Sequence, residues 1–217
     1  MVAMAALRPE RRWPPGLALL LLTLMPLLLP GRLTLGWGWL LPVACGTLFV
    51  LVAATSVVGD RRRSRVVRRL SLVLIGALVV GAVWSTARLI DDLVHNGTLA
   101  SSPAELLSSG SLVWVNNNVI FGLLYWELDG GGPAHRGLHN RPPDFAFPQT
   151  IDPALAAPGW RPTFVDYLYL GLTNALAFSP TDAMPLVPWA KLTMALQSLI
   201  SVSVLSLVIA RAVNVLT

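Results

Sequence analysis

The C-terminal part of the chain, residues 164–217, contains an apolar run too short to cross a lipid bilayer, followed by one that is long enough. As a helix, the first run, residues 164–178, extends about 22 Å, whereas the hydrocarbon core of a bilayer is about 30 Å thick. Residues 179–186 contain two prolines, Pro180 and Pro185. The second run, residues 187–216, extends about 45 Å as a helix. This order predicts a half-length helix that enters the membrane and turns back, and then a spanning helix.

This arrangement resembles the pore module of potassium channels, in which a pore helix and a filter precede the inner helix. The signature of that family, T-T-x-T-T-V-G-Y-G-D-x-x-P, falls without gaps on residues 173–185, which read TNALAFSPTDAMP. The resemblance covers about a quarter of the chain. The matching positions, including those of the D-x-L-Y pattern upstream, are Asp166, Leu168, Tyr169, Thr173, Asp182 and Pro185.

The five filter positions, residues 177–181, depart from the family signature. They read Ala-Phe-Ser-Pro-Thr and lack both glycines of the signature. Potassium filters need glycines whose backbone lets successive carbonyl oxygens point at the ion, and Pro180 fixes φ where the family has glycine nearby. The resemblance therefore implies a pore-loop scaffold with a degenerate filter that does not select potassium. The chain is similar in this respect to bacterial multi-span membrane proteins of unknown function that end in such a loop.

The composition indicates an integral membrane protein. Hydrophobic residues make up 54% of the chain and charged residues 12%, whereas about a quarter of residues are charged in an ordinary soluble domain. The formal charge is +5, but the arginines cluster beside apolar runs, which indicates orientation in a bilayer and no nucleic-acid partner. We expect an all-α fold with about five transmembrane helices and a re-entrant half-helix before the last one, in the cell membrane.

The order of apolar and polar segments predicts four regions. They are a basic tail (1–15), a three-helix membrane region (16–92) with spans at 17–29, 37–58 and 70–89, a polar loop (93–110) and a pore-like module (111–217). The module divides into an outer helix (111–127), a connector (128–162), a half-helix (163–178), a loop (179–186) and an inner helix (187–216). Its aromatic side chains Phe145, Phe147, Trp160 and Phe164 are expected to pack the connector against the helices or the membrane interface.

A run of arginines, residues 60–69 with the sequence DRRRSRVVRR, sets the predicted orientation. Burial of its six arginines in lipid would cost more than about 15 kcal/mol, so the run lies in water, and the positive-inside rule assigns it to the cytoplasm. Counting spans from it predicts a cytoplasmic N-terminus and a re-entrant loop that enters from the cytoplasmic side. Potassium channels have the opposite arrangement.

Polar side chains within the predicted spans have two interpretations. Three consecutive asparagines cover about 200° of the outer helix, so at least one is expected to bond to a neighbouring helix, or to line a polar cavity. Four polar residues lie within about 80° of one another on the inner helix, where they line a water-filled conduit or join helices. The residues are Asn116, Asn117 and Asn118, and Thr193, Gln197, Ser201 and Arg211.

The resulting hypothesis is a channel-like homo-oligomer, a tetramer by analogy, that passes an ion or a small solute. The alternative is a non-conducting scaffold or partner-binding subunit with the same fold. No catalytic triad, phosphate-binding loop or metal-ligand spacing is apparent, and glycine and proline surround His135 and His139, so we expect no enzyme, cofactor or metal. The candidate lining residues of the constriction are Thr173, Asn174, Ser179, Thr181 and Asp182.

Overall fold

The computed structural model describes residues 13–28, 43, 46–47, 61–91, 95, 103–133, 136, 142–177 and 182–216 of the 217 residues. This part is mostly helical. Its helices are α1 (Trp13–Leu28), α2 (Arg61–Asp91), α3 (Pro103–Leu128), α4 (Pro148–Ile151), α5 (Phe164–Ala177) and α6 (Pro188–Leu216). Two 3-10 turns, Asp129–Gly131 and Pro153–Leu155, and two short antiparallel strands, β1 (Phe145–Ala146) and β2 (Met184–Pro185), complete it.

Two of these helices contain segments that are long and apolar enough to cross a membrane. The segments are Arg68–Asp91 in α2 and Pro188–Ala210 in α6. Helix α1, which corresponds to the first predicted span, has 16 residues. The predicted second span, residues 37–58, lies outside the described residues except for positions 43, 46 and 47.

One predicted boundary is wrong because a helix extends further than its apolar run. Helix α3 begins at Pro103, within the segment predicted as a polar loop that ends at residue 110. Proline is favoured in the first turn of a helix, and the following Ala-Glu-Leu-Leu residues are strong helix formers. Helix α2 likewise continues through the arginine run to Arg61. Hydropathy therefore located the apolar core of each helix but not its polar turns.

Helices α3 and α6 run antiparallel and in close contact. A Cβ atom placed on Gly110 of α3 would lie 2.4 Å from Val208 Cγ2 of α6, so only glycine fits there. Further along the pair, Asn117 Nδ2 donates to Ser201 Oγ at 3.0 Å. The start of α6 therefore lies near the end of α3.

Helix α5 packs between these two helices and runs antiparallel to α3. It begins beside the end of α3, where the rings of Phe164 and Trp126 lie 6.1 Å apart edge to face. Its later turns lie against earlier turns of α3, since a Cβ atom on Gly171 would lie 3.4 Å from Asn118 O and 3.6 Å from Gly122 N. The two glycines allow the helix backbones to approach closely.

Because α5 and α6 are both antiparallel to α3, they run parallel to each other and begin at the same end of the bundle. Parallel consecutive helices require the chain to return between them, and Met184 and Pro185 of the return segment pair with Ala146 and Phe145 of β1. The chain therefore begins α5 at one end of the bundle and lies at that end again at β2. We refer to residues 182–187 as the return segment; residues 178–181 lie outside the described residues.

The same end of the bundle carries the connector and the arginine run. Gly132, which follows α3, has φ of +90°, and a Cβ atom there would lie 3.4 Å from Arg68 Nε of α2 and 2.7 Å from Glu127 O. We refer to this end as the connector end. Its aromatic residues pack as predicted: Phe145, Phe147 and Phe164 are buried, and Trp160 contacts the Phe147 ring at 6.2 Å.

A buried charged cluster fastens the connector to α3. Asp129 Oδ1 accepts hydrogen bonds from the backbone N–H groups of Asp144 at 2.7 Å and Phe145 at 3.2 Å, and Asp129 Oδ2 accepts one from the Tyr167 hydroxyl. Arg136 Nε lies 3.8 Å from Asp129 Oδ2, and its guanidinium group stacks over the Tyr167 ring at 4.6 Å. Asp129 therefore joins the end of α3, the strand β1 and the first turns of α5.

Replacement of Asp129 by alanine tests this cluster. The change leaves the Arg136 charge, the Tyr167 hydroxyl and two backbone N–H groups without their acceptor, at a cost of about 3 kcal/mol. We expect thermal unfolding of the protein in detergent, followed by circular dichroism, to shift down by about 10 °C. Asp152→Ala is the control, since Asp152 is exposed and bonds only to Ala154 N within its own turn. Equal shifts for the two variants would contradict the assigned role.

Candidate functional site

A network of buried amide groups lies between α3, α5 and α6, with Gln197 at its centre. Gln197 is fully buried. Its Oε1 atom accepts hydrogen bonds from the Tyr125 hydroxyl at 2.8 Å and from Asn174 Nδ2 at 2.9 Å. Its Nε2 atom donates to Gly171 O at 2.9 Å and to Asn118 Oδ1 at 3.3 Å. All four hydrogen-bonding positions of the glutamine amide are therefore occupied by groups from two other helices.

The other members of the network extend it along α6. Asn174 Nδ2 also donates to Met194 O at 2.9 Å, and Ser198 Oγ donates to Asn174 O at 3.2 Å. One turn further, Asn117 Nδ2 donates to Ser201 Oγ, while Asn117 Oδ1 is buried without a partner among the described residues. Polar contacts between helices thus continue over about two turns of α6.

The members of the predicted asparagine run do not all have the same environment, and neither do the members of the inner-helix stripe. Two members of each set, Asn117 and Asn118 in α3 and Gln197 and Ser201 in α6, are buried between helices. Asn116 is half-buried, and Arg211 has a side chain outside the described set. Thr193 Oγ1 donates to carbonyl groups of its own helix, Trp189 O and Ala190 O. Within one chain, the central polar residues therefore join helices.

A second site is a pocket of about 310 Å³ at the connector end, between α5 and the connector. Two of the predicted constriction residues, Thr173 and Asp182, line it together, whereas Asn174 belongs to the amide network. Ser179 and Thr181 lie outside the described residues. The residues of the pocket that matter for its chemistry are Phe147, Gln149, Asp166, Tyr169, Thr173 and Asp182.

The two carboxylates of the pocket differ in their bonding. Asp166 Oδ2 accepts hydrogen bonds from Thr163 N at 2.6 Å and from Thr163 Oγ1 at 2.8 Å, a reciprocal cap at the start of α5. Asp182 is exposed on the return segment and makes no hydrogen bond to the described residues. Thr173 Oγ1 bonds to carbonyl groups of its own helix at 3.0 and 3.1 Å. Among the described residues, therefore, nothing occupies the two carboxylate oxygens of Asp182.

Several of these groups were not predicted from the sequence. Tyr125, Asp129 and Arg136 gave no signal, because a single polar residue beside a predicted helix end has no periodicity to identify it. Asp166 and Tyr169 were noted only as part of the channel-like pattern. No group of three metal-ligating side chains occurs among the described residues, and His135 and His139 lie outside them.

The amide network can be tested through Gln197→Leu. The leucine has similar volume but removes four hydrogen bonds between apolar helices, at a total cost of about 2 kcal/mol. We expect the midpoint of thermal unfolding in detergent to fall by about 5 °C. Ser206→Leu is the control on the same helix, because Ser206 is exposed, and it should leave the midpoint unchanged. An unchanged midpoint for Gln197→Leu as well would show that the network does not hold α5 in place.

No protein-family model, curated protein or solved structure matches the chain. The resemblance of residues 166–185 to pore-loop channels stays a prediction.

Proposed function

We propose that the chain is a multi-pass membrane protein in which α5 and its return segment form a re-entrant loop. The outward faces of the long helices support a lipid environment. Over an 18-residue apolar stretch of each of these two segments, 39% and 33% of the residues are buried, whereas the core helix of a soluble protein is mostly buried. Their exposed apolar side chains include Val73 at 72%, Leu192 at 71% and Leu199 at 67%. Such side chains are stable when they face hydrocarbon.

The depth that α5 reaches supports the re-entrant assignment. Its Asn174 bonds to Met194 and Gln197 of α6, and Gln197 lies nine residues after Pro188, at which α6 begins. Nine residues of helix extend about 14 Å, which is about half of a hydrocarbon core. Helix α5 with its 14 residues would thus end near the middle of the membrane. Its buried amide bonds satisfy the polar groups that such a loop brings into lipid.

The function that we propose for this protein is passage of a small cation or solute past the re-entrant loop, in a homo-oligomer that is a tetramer by analogy. The observation that carries the proposal is the position of Asp182. The return segment brings this exposed carboxylate beside Thr173 in a pocket at the end where the loop begins. A carboxylate at the mouth of a narrow passage raises the local concentration of cations.

A non-conducting scaffold is the second candidate, and the direction of the inner-helix polar residues favours it. Gln197 and Ser201 bond to α3 and α5 of their own chain, so they are not free to line a shared axis. The exposed face of α6 carries Leu192, Leu199 and Ile209. This face suits lipid or an apolar partner better than an ion.

Ion flux into liposomes that contain the purified protein separates the two candidates. If the loop conducts, Asp182→Asn should lower cation flux about tenfold at low ionic strength, and the difference should shrink at high salt. Asp152→Asn, on the same end but outside the pocket lining, should behave as the unchanged protein. Absence of any protein-dependent flux, or equal flux in all three proteins, would overturn conduction and leave the scaffold.

The side of entry is a separate part of the proposal. The connector end, which carries Arg68, is assigned to the cytoplasm by the positive-inside rule. We expect a cysteine at Ala157, an exposed connector residue, to react with a membrane-impermeant thiol reagent only after cells are opened, in a background with Cys45 replaced by serine. A cysteine at Asp91, at the other end of α2, is the matched control and should react on intact cells. The opposite labelling pattern would reverse the orientation.

A further inference from the structure

We infer that the pocket between α5 and the connector binds a protonated primary amine with a short apolar tail. A primary ammonium group donates three hydrogen bonds, and the pocket offers several oxygen acceptors. Asp182 has both carboxylate oxygens free of described partners, and Asp166 has Oδ1 free because its cap uses Oδ2 alone. Gln149 also lines the pocket. The three N–H donors can therefore all find acceptors on these carboxylates, and the ammonium charge offsets one of the two carboxylate charges.

The remaining walls of the pocket suit an apolar tail. Phe147 and Leu170 are buried core residues, and each contributes to the lining. The Tyr169 ring also lines the pocket, and aromatic faces attract ammonium groups as well as hydrocarbon. The volume of about 310 Å³ is at the lower end of the range for small-molecule sites. The ligand is therefore small, such as a short alkylammonium ion.

The described lining of the pocket carries negative charge and disfavours anionic ligands. Its described lining holds two aspartates and neither lysine nor arginine. The nearby cation with a known position, Arg136, is committed to Asp129 and to the carbonyl of Pro162 at 3.2 Å. A carboxylate or phosphate ligand would meet like charge without a counter-ion. Even a neutral ligand would leave the two carboxylates uncompensated.

The rigidity of the site comes from the cluster that holds the connector. Phe147 stacks edge to face on Tyr167 at 5.2 Å, and Tyr167 bonds to Asp129. The wall opposite α5 is therefore fixed before a ligand arrives, which reduces the entropy lost on binding. This inference deepens the proposed function, because the pocket lies at the mouth of the proposed loop. Transport of the amine would rest on the proposed function, whereas binding of the amine does not.

Equilibrium dialysis of the full chain in detergent micelles tests the inference with n-butylammonium at neutral pH. Protein-free micelles correct for partitioning. We expect saturable binding of n-butylammonium, no saturable binding of the neutral analogue 1-butanol, and weaker binding of tetramethylammonium, which has no N–H donor. Equal binding of 1-butanol, equal binding of tetramethylammonium, or no saturable binding of n-butylammonium would each overturn it.

Variants assign the binding to the pocket. Asp182→Asn and Asp166→Asn should each weaken n-butylammonium about fivefold, since each removes one partly exposed charge, and the asparagine at 166 still caps Thr163. Asp152→Asn should bind as the unchanged protein, and Asp182→Glu should restore most of the affinity that Asp182→Asn loses. Equal weakening by Asp152→Asn, or no weakening by Asp182→Asn in a protein with unchanged circular dichroism, would place the ligand elsewhere. Binding of n-butylammonium without ion flux would overturn the conduction proposal alone. Ion flux without binding of n-butylammonium would overturn this inference alone.

Discussion

The hydrogen bonds of Gln197 are the interaction on which the rest of the module depends. A primary amide among apolar helices is costly unless its donors and acceptors are all used. Here the amide takes partners from α3 and α5, so three helices are fixed at one level by one side chain. This level also fixes the position of α5 along α6. Asn174 would lose its partners Met194 and Gln197 if α5 moved by one turn along α6.

The cluster around Asp129 performs the complementary task at the connector end. It holds β1, and through β1 it holds the return segment at Met184 and Pro185. The rings of Phe145 and Trp189, 5.7 Å apart, join the same point to the start of α6. Two clusters thus hold this part of the chain. The amide network holds the later turns of α5, and the cluster around Asp129 holds the start of α5 and β1. Thr173 and Asp182, which belong to neither cluster, line the pocket.

The two C-terminal helices were predictable from the sequence because their signals are local. A 15-residue apolar run, two prolines and a long apolar run gave a half-helix at 163–178 and an inner helix at 187–216, and the structure has Phe164–Ala177 and Pro188–Leu216. The aromatic packing of the connector followed from the same reasoning.

What the sequence did not reveal depends on which neighbour a side chain meets. The angular clustering of Thr193, Gln197 and Ser201 identifies a polar face of α6 but does not say whether that face meets water or another helix. Asp129 and Arg136 lie in a glycine- and proline-rich segment, where no period relates a residue to its surroundings. Their pairing depends on the path of the connector, which only the folded chain defines. The pocket is likewise formed by segments more than 30 residues apart, from Phe147 to Ala183.

The inward direction of the amide network restricts where a passage could lie. The exposed face of α6 is apolar at Leu192 and Leu199, and a passage along such a face would expel water and block ions. Polar groups that remain available lie on the return segment and on α5, around Asp182 and Thr173. A passage in a protein of this architecture would therefore run past Asp182 and Thr173. The helices themselves serve either function equally, because their polar side chains are used to hold the loop in place.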